Sequence, residues 1–163
     1  MQINNSHNQR GITFLEALVT IAIVGFGFAG LLALSAANIR AAESSTNTFV
    51  ASNLATEGVE IVRRIRDTNW LQDAPDWLEG ITPGTYSVAY ASNNLGIEYD
   101  SFLRVDPTTG AYQYSTGSPS LFKRGIVISV VDPTQIKVEV SVSWSERGKQ
   151  RSIAVEDRLY NWK

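Results

Sequence analysis

One carboxylate lies inside the most apolar segment of this chain. The apolar stretch begins at Ile12, Glu16 follows a few residues later, and no charged side chain occurs from Ala17 to Leu34. An ionised carboxylate within such a segment costs on the order of a few kcal/mol unless a cation pairs with it. The simplest explanation is that the Glu16 side chain reaches the lipid headgroups near the end of a membrane span. A cation placed close to Glu16 would be a chemical explanation.

Cleavage of the peptide bond between Gly11 and Ile12 would create that cation. The new α-amino group would lie four residues before Glu16 and at a similar depth in a membrane. In a filament, neighbouring subunits are displaced along the filament axis. The amine of one chain could then meet the Glu16 carboxylate of its neighbour instead. The buried charge would then be neutralised only by correct docking. We therefore interpret Glu16 as a residue that determines the register of an assembly.

Other polar residues give little support for catalysis or metal binding. The chain has no cysteine and one histidine, His7, which lies in a polar stretch without evident partners. Asp73 and Asp76 are expected to be solvated turn residues. Glu156 and Asp157 are adjacent in a predicted strand, so their side chains should point to opposite faces. The sequence therefore predicts a protein that is not an enzyme and that needs no metal or cofactor.

The apolar stretch, about residues 12–34, is long enough to cross a bilayer as a helix at ~1.5 Å per residue. Arg10 precedes it and Arg40 follows it, with Glu43 close by, so the charge bias weakly favours a cytoplasmic N-terminus. A secretory signal peptide that ends near residues 33–36 and an ordinary single-pass anchor are alternatives. Neither of them supplies a cation to pair with the carboxylate inside the span.

The residues around this carboxylate resemble the cleavage signal of type IV prepilins and pseudopilins. In Gly11-Ile12-Thr13-Phe14-Leu15-Glu16, a glycine precedes the cut, an apolar residue follows it, and a glutamate stands five residues after it. The resemblance implies cleavage after Gly11 by prepilin peptidase, N-methylation of Ile12, and packing of Glu16 against the N-terminus of an adjacent subunit. It also implies that other pilin subunits, the pilus assembly machinery and, before assembly, membrane lipid are partners.

The resemblance implies a subunit of a type IV pilus or of a related secretion or DNA-uptake filament. The apolar helix lacks the proline that is common in major pilins, which favours a minor pilin or pseudopilin. Such a subunit is held in the cytoplasmic membrane by one span, with its N-terminus cytoplasmic, and becomes extracellular after assembly. The alternative is an uncleaved, membrane-anchored binding domain.

Nucleic acid is a weakly supported partner. The formal net charge of −2 provides no general basic field. Arg63, Arg64 and Arg66 lie close together, but Glu60 stands three and four residues before the first two, so we expect a solvated helix face with local ion pairs.

The rest of the chain predicts an α+β fold, and this arrangement resembles the pilin architecture. Residues 1–11 form a leader, and residues 12–66 form one continuous helix, whose outer half carries an apolar stripe at helical spacing. Residues 67–163 form an antiparallel-sheet domain, covered by that half of the helix. We predict a strand over 85–90, a hairpin of 101–106 with 111–115, and a meander of 125–131, 136–144 and 152–159. The four tryptophans, at positions 70, 77, 144 and 162, are expected to pack in a core or an interface.

Overall fold

The computed structural model of this protein describes residues 13–89, 92, 94–96 and 101–162. The chain divides into two compact units with the boundary between Glu43 and Ser44. A single long helix, α1 (Phe14–Leu71), begins in the first unit and ends in the second. The polar run from Ser44 to Thr48 does not interrupt it, so the predicted continuous helix is confirmed.

The second unit contains the predicted antiparallel sheet. Its four strands are β1 (Gly84–Tyr86), β5 (Phe122–Asp132), β6 (Gln135–Glu146) and β7 (Lys149–Tyr160), in the order β1-β5-β6-β7. Strands β5, β6 and β7 form the predicted meander with sequential antiparallel pairing. Strand β1 is shorter than the strand predicted over 85–90.

A small three-stranded sheet accompanies the main one. It consists of β2 (Arg104–Val105), β3 (Tyr112–Gln113) and β4 (Ser118–Pro119), in the order β3-β2-β4. Pairing of β2 with β3 confirms the hairpin predicted across the Asp106–Gly110 turn. The third strand, β4, was not predicted. It consists of two exposed residues and carries no apolar alternation, which is the signal that identifies longer strands.

The core lies between the sheet and the helix residues of the second unit. Strand β6 alternates as predicted, and Ile136, Val138, Val140 and Val142 are fully buried. Gly58 of the helix approaches this face so closely that a Cβ atom there would lie 2.7 Å from Cγ1 of Val140. A glycine inside a helix costs about 1 kcal/mol relative to alanine. Here it permits contact between the helix backbone and the sheet.

The helix ends at Leu71, which is five residues beyond the predicted end at Arg66. The carbonyls of Asn69 and Trp70 accept hydrogen bonds from the amides of Ala74 (2.9 Å) and Asp73 (3.3 Å). Asp73 has a φ of 49°, so it occupies the left-handed position of a Schellman cap. Glycine usually fills this position, and aspartate is one of the few other residues that tolerate it. The predicted end was therefore wrong because the stop lies in an aspartate cap.

Candidate functional site

The described part of the apolar helix begins with a defined cap. The amide of Glu16 donates a hydrogen bond of 3.3 Å to the hydroxyl of Thr13, the residue that precedes the helix. Thr13 and Glu16 thus have the spacing of a capping box, S/T-x-x-E/Q, in which threonine is the N-cap and glutamate the third helical residue. This cap was not predicted, although its spacing is readable in the sequence.

Glu16 therefore lies in the first turn of α1, and its side chain is exposed. A carboxylate in the first turn is favoured by the partial positive charge of the helix N-terminus. This local role stabilises the start of the helix, whereas the predicted role in assembly concerns a second chain. The helix cap requires a hydrogen-bonding side chain, whereas the role in assembly requires a negative charge. Glutamine can serve a capping box but carries no charge, so it separates the two roles.

Gly11 and Ile12, the predicted cleavage and N-methylation positions, lie outside the described residues. Thr13 is the first described residue and immediately follows them. The structure therefore shows the helix start just after the predicted cut.

The first unit carries an apolar surface that no described part of the chain covers. Large side chains are exposed in every turn from Phe14 to Leu34, and Phe14 and Phe26 are each 81% exposed. This helix is long and apolar enough to cross a membrane, and none of its most apolar stretch is buried. At ~1.5 Å per residue, the stretch from Phe14 to Leu34 measures about 30 Å, which matches the hydrocarbon core of a bilayer.

The helix segment within the second unit is held to the sheet by a buried arginine. Arg124 of β5 has a fully buried side chain. Its Nη1 donates to the carbonyl of Leu54 (3.1 Å) and to Oε1 of Glu57 (2.7 Å), and its Nη2 donates to the carbonyl of Val88. The one guanidinium therefore joins α1, β5 and the segment after β1.

The contact made by Arg124 was not predicted from the sequence, although a signal was present. Phe122, Arg124, Ile126 and Ile128 share the buried face of β5, so a charged residue interrupts an apolar alternation. A charge at such a position is buried only when it is paired and hydrogen-bonded. The sequence does not contain the identity of its partners, which lie 36 to 70 residues away.

The prediction of a solvated arginine face near the helix end is wrong for Arg66. Its side chain is only 8% exposed, pairs with Asp67 at 2.8 Å, and lies 4.4 Å over the ring of Trp70. Arg63 bridges Glu60 and Asp157 of β7, and the hydrogen bond with Asp157 raises the pKa of Arg63. Arg64 donates a hydrogen bond to the carbonyl of Ser92. Each of the three arginines therefore has a partner within the chain.

The remaining candidate residues occupy structural positions. The Asp76 carboxylate accepts a hydrogen bond from the amide of Leu78, as expected of a turn residue. Glu156 lies near Lys137 and Arg158, whereas Asp157 contacts Arg63, so the two acidic side chains do not form a shared site. Within the described ranges, no group of three or more metal-binding side chains is found.

The tryptophans divide into two groups. Trp77 and Trp144 are buried in the core, as predicted. Trp70 is partly buried and makes an edge-to-face contact with Trp162, with the ring centroids 4.7 Å apart. Trp162 itself is 73% exposed, which a core role does not explain.

Comparison with known proteins identifies the N-terminal segment. Residues 6–32 match the family described as the prokaryotic N-terminal methylation motif. No curated protein and no solved structure matches the chain. The matched residues include Gly11, Ile12 and Glu16, and they extend along the uncovered apolar part of α1. The chain thus carries the N-terminal methylation motif of type IV pilin-like prepilins, and its long helix and antiparallel sheet form a pilin-like α+β arrangement.

Proposed function

We propose that this protein is a structural subunit, a minor pilin or pseudopilin, of a type IV pilus or a related secretion or DNA-uptake filament. In this proposal, prepilin peptidase cuts the chain after Gly11 and the new N-terminal residue, Ile12, is methylated. Before assembly, the subunit is anchored in the cytoplasmic membrane with its N-terminus on the cytoplasmic side. It then joins other pilin subunits in an extracellular filament, with a structural and not an enzymatic role.

The observation that carries the proposal is the uncovered apolar helix that coincides with the methylation motif. Exposure of apolar surface to water costs roughly 25 cal/mol per Å². Lipid chains can cover the side chains from Phe14 to Leu34, and so can equivalent helices of neighbouring subunits. A subunit that moves from a membrane into a filament needs a surface that is compatible with both environments.

Glu16 gives this transfer its specificity. Its carboxylate is the only charge between Phe14 and Leu34, and both lipid and packed helices disfavour an unpaired charge. The α-amino group of Ile12 on a neighbouring subunit would neutralise it. A subunit displaced from the correct register would leave both charges unpaired, so the pair selects one packing of the helices.

Replacement of Glu16 by glutamine should leave cleavage intact and reduce entry into filaments by about tenfold or more. Glutamine retains the capping-box function but cannot form an ion pair with an amine. Quantitative immunoblotting should therefore find a normally processed protein in the membrane fraction and little of it in sheared filaments.

Two variants separate the charge from the helix cap. Glu16→Ala removes both functions and should be no better incorporated than Glu16→Gln. Glu43→Gln removes an acidic charge further along the same helix and should leave incorporation unchanged. If Glu16→Gln assembles normally whereas Glu16→Ala does not, the cap is what assembly requires and the proposed charge pair is wrong.

A further inference from the structure

A small cavity lies at the end of α1, within the second unit. Its volume is about 250 Å³, and its walls include Asn69, Trp70, Asp73, Trp77 and Asn161. The side-chain amide of Asn69 donates to the carbonyls of Trp77 (3.1 Å) and Glu79 (2.8 Å), which fixes the loop wall against the helix. The Schellman cap fixes the backbone of Asp73. The cavity is therefore formed by well-anchored residues.

An exposed aromatic surface adjoins this cavity. Trp162 contacts Trp70 edge-to-face, and the Arg66 guanidinium also contacts the Trp70 ring. The contact orients the indole of Trp162 while most of its surface remains exposed. A large aromatic side chain is usually buried or used in recognition, because its burial removes a large apolar area from water.

Polar groups stand beside the indole. The amide nitrogen of Asn161 donates to the carbonyl of Thr134 at 2.8 Å, which fixes the backbone next to Trp162. In the described part of the chain, no hydrogen bond engages the Asn161 side chain, which offers two donors and one acceptor oxygen. Asp73 also lines the cavity and contributes a negative charge to it.

We propose that this cavity and Trp162 form a binding site for a neutral saccharide. A pyranose ring has an apolar C–H face, which suits a flat indole, and hydroxyl groups, which suit amide and carboxylate partners. The cavity is smaller than the ~300–1,000 Å³ of pockets for drug-sized ligands, which fits one or two sugar rings. Among the described residues, no lysine or arginine lines it, and Asp73 disfavours an anionic ligand.

The site can be tested with the full-length protein in micelles of a detergent whose headgroup is not a sugar. Each of its four tryptophans carries one indole N–H group, so we expect four indole signals in a ¹⁵N spectrum. Maltotriose, cellotriose and the trimer of N-acetylglucosamine serve as probes. We expect at least one of them to shift the signals of Trp162 and Trp70 saturably. The signal of Trp144, which is buried and lies near Glu146, should stay unchanged.

Two variants make the result specific. Trp162→Ala should weaken the affinity for the sugar, measured from the shift of the Trp70 signal, by about tenfold or more. An unchanged Trp144 signal would show that the fold is intact. Phe102→Ala removes another half-exposed aromatic side chain and should leave binding unchanged. The proposal is overturned if none of the three sugars shifts Trp162, if Trp162→Ala binds normally, or if the Trp162 signal depends only on protein concentration, which would indicate contact with a second chain.

Discussion

Replacement of Gly11 by valine should leave almost all of the protein as a precursor that retains residues 1–11. The glycine precedes the proposed cut, and a branched side chain there would obstruct the approach of the peptidase to the scissile carbonyl. Since the new α-amino group would then never form, Glu16 would also lack its proposed partner. The precursor should be found in the membrane fraction and not in filaments, as judged by mass and by immunoblotting of each fraction.

Gly25→Val is the matched control for this variant. Gly25 lies in the same apolar helix, and a Cβ atom there meets nothing within 4 Å in the described chain. The control should be cleaved as efficiently as the unmodified protein, although close helix packing in a filament could still be affected. Normal cleavage of Gly11→Val would contradict the proposed need for glycine before the cut.

Replacement of Arg124 by alanine should lower the free energy of unfolding of the second unit by about 3–5 kcal/mol. Loss of one partner of a buried ion pair costs this much, because the remaining polar groups stay desolvated. Here the carbonyls of Leu54 and Val88 would lose the hydrogen bonds from the guanidinium, and the Glu57 carboxylate would lose its cation. Denaturant unfolding of the full-length protein in micelles, followed by tryptophan fluorescence, measures the change.

Two further variants test whether the loss of stability comes from the buried guanidinium. Arg124→Lys keeps the charge, but a single ammonium group does not reproduce the planar guanidinium fork, so its stability should be intermediate. Arg151→Ala removes an exposed arginine from β7 and should change stability by less than about 0.5 kcal/mol. A neutral effect of Arg124→Ala would mean that the buried contacts do not hold the helix to the sheet.

Periodic segments of this protein were predictable from the sequence. The alternation of Ile136, Val138, Val140 and Val142 identified β6, and the adjacent turns placed its neighbours in an antiparallel meander. The apolar stretch after Ile12 and the spacing from Gly11 to Glu16 identified the N-terminal segment, which the family match confirms at residues 6–32. These signals are local, and each depends on residues that are close in sequence.

The features that were missed depend on caps and on long-range contacts. Asp73 ends the helix through a left-handed conformation that only a minority of aspartates adopt. The burial of Arg66 requires Trp70 and Asp67 around it, and the role of Arg124 requires carbonyls from two distant segments. A residue type shows that such a side chain needs partners, but it does not identify them. The Thr13–Glu16 capping box is different, because its spacing was readable in the sequence.

The most direct test of the proposed function is the N-terminus of the mature protein. The protein is isolated from membranes and from sheared surface filaments, and its N-terminal peptide is identified by mass spectrometry. The proposal predicts a chain that begins at Ile12 and carries an N-methyl group in both fractions. A chain that begins at Met1 would indicate an uncleaved, anchored domain, and one that begins near Ala36 would indicate an ordinary secreted protein. Either of these results would contradict the proposed assembly through Ile12 and Glu16.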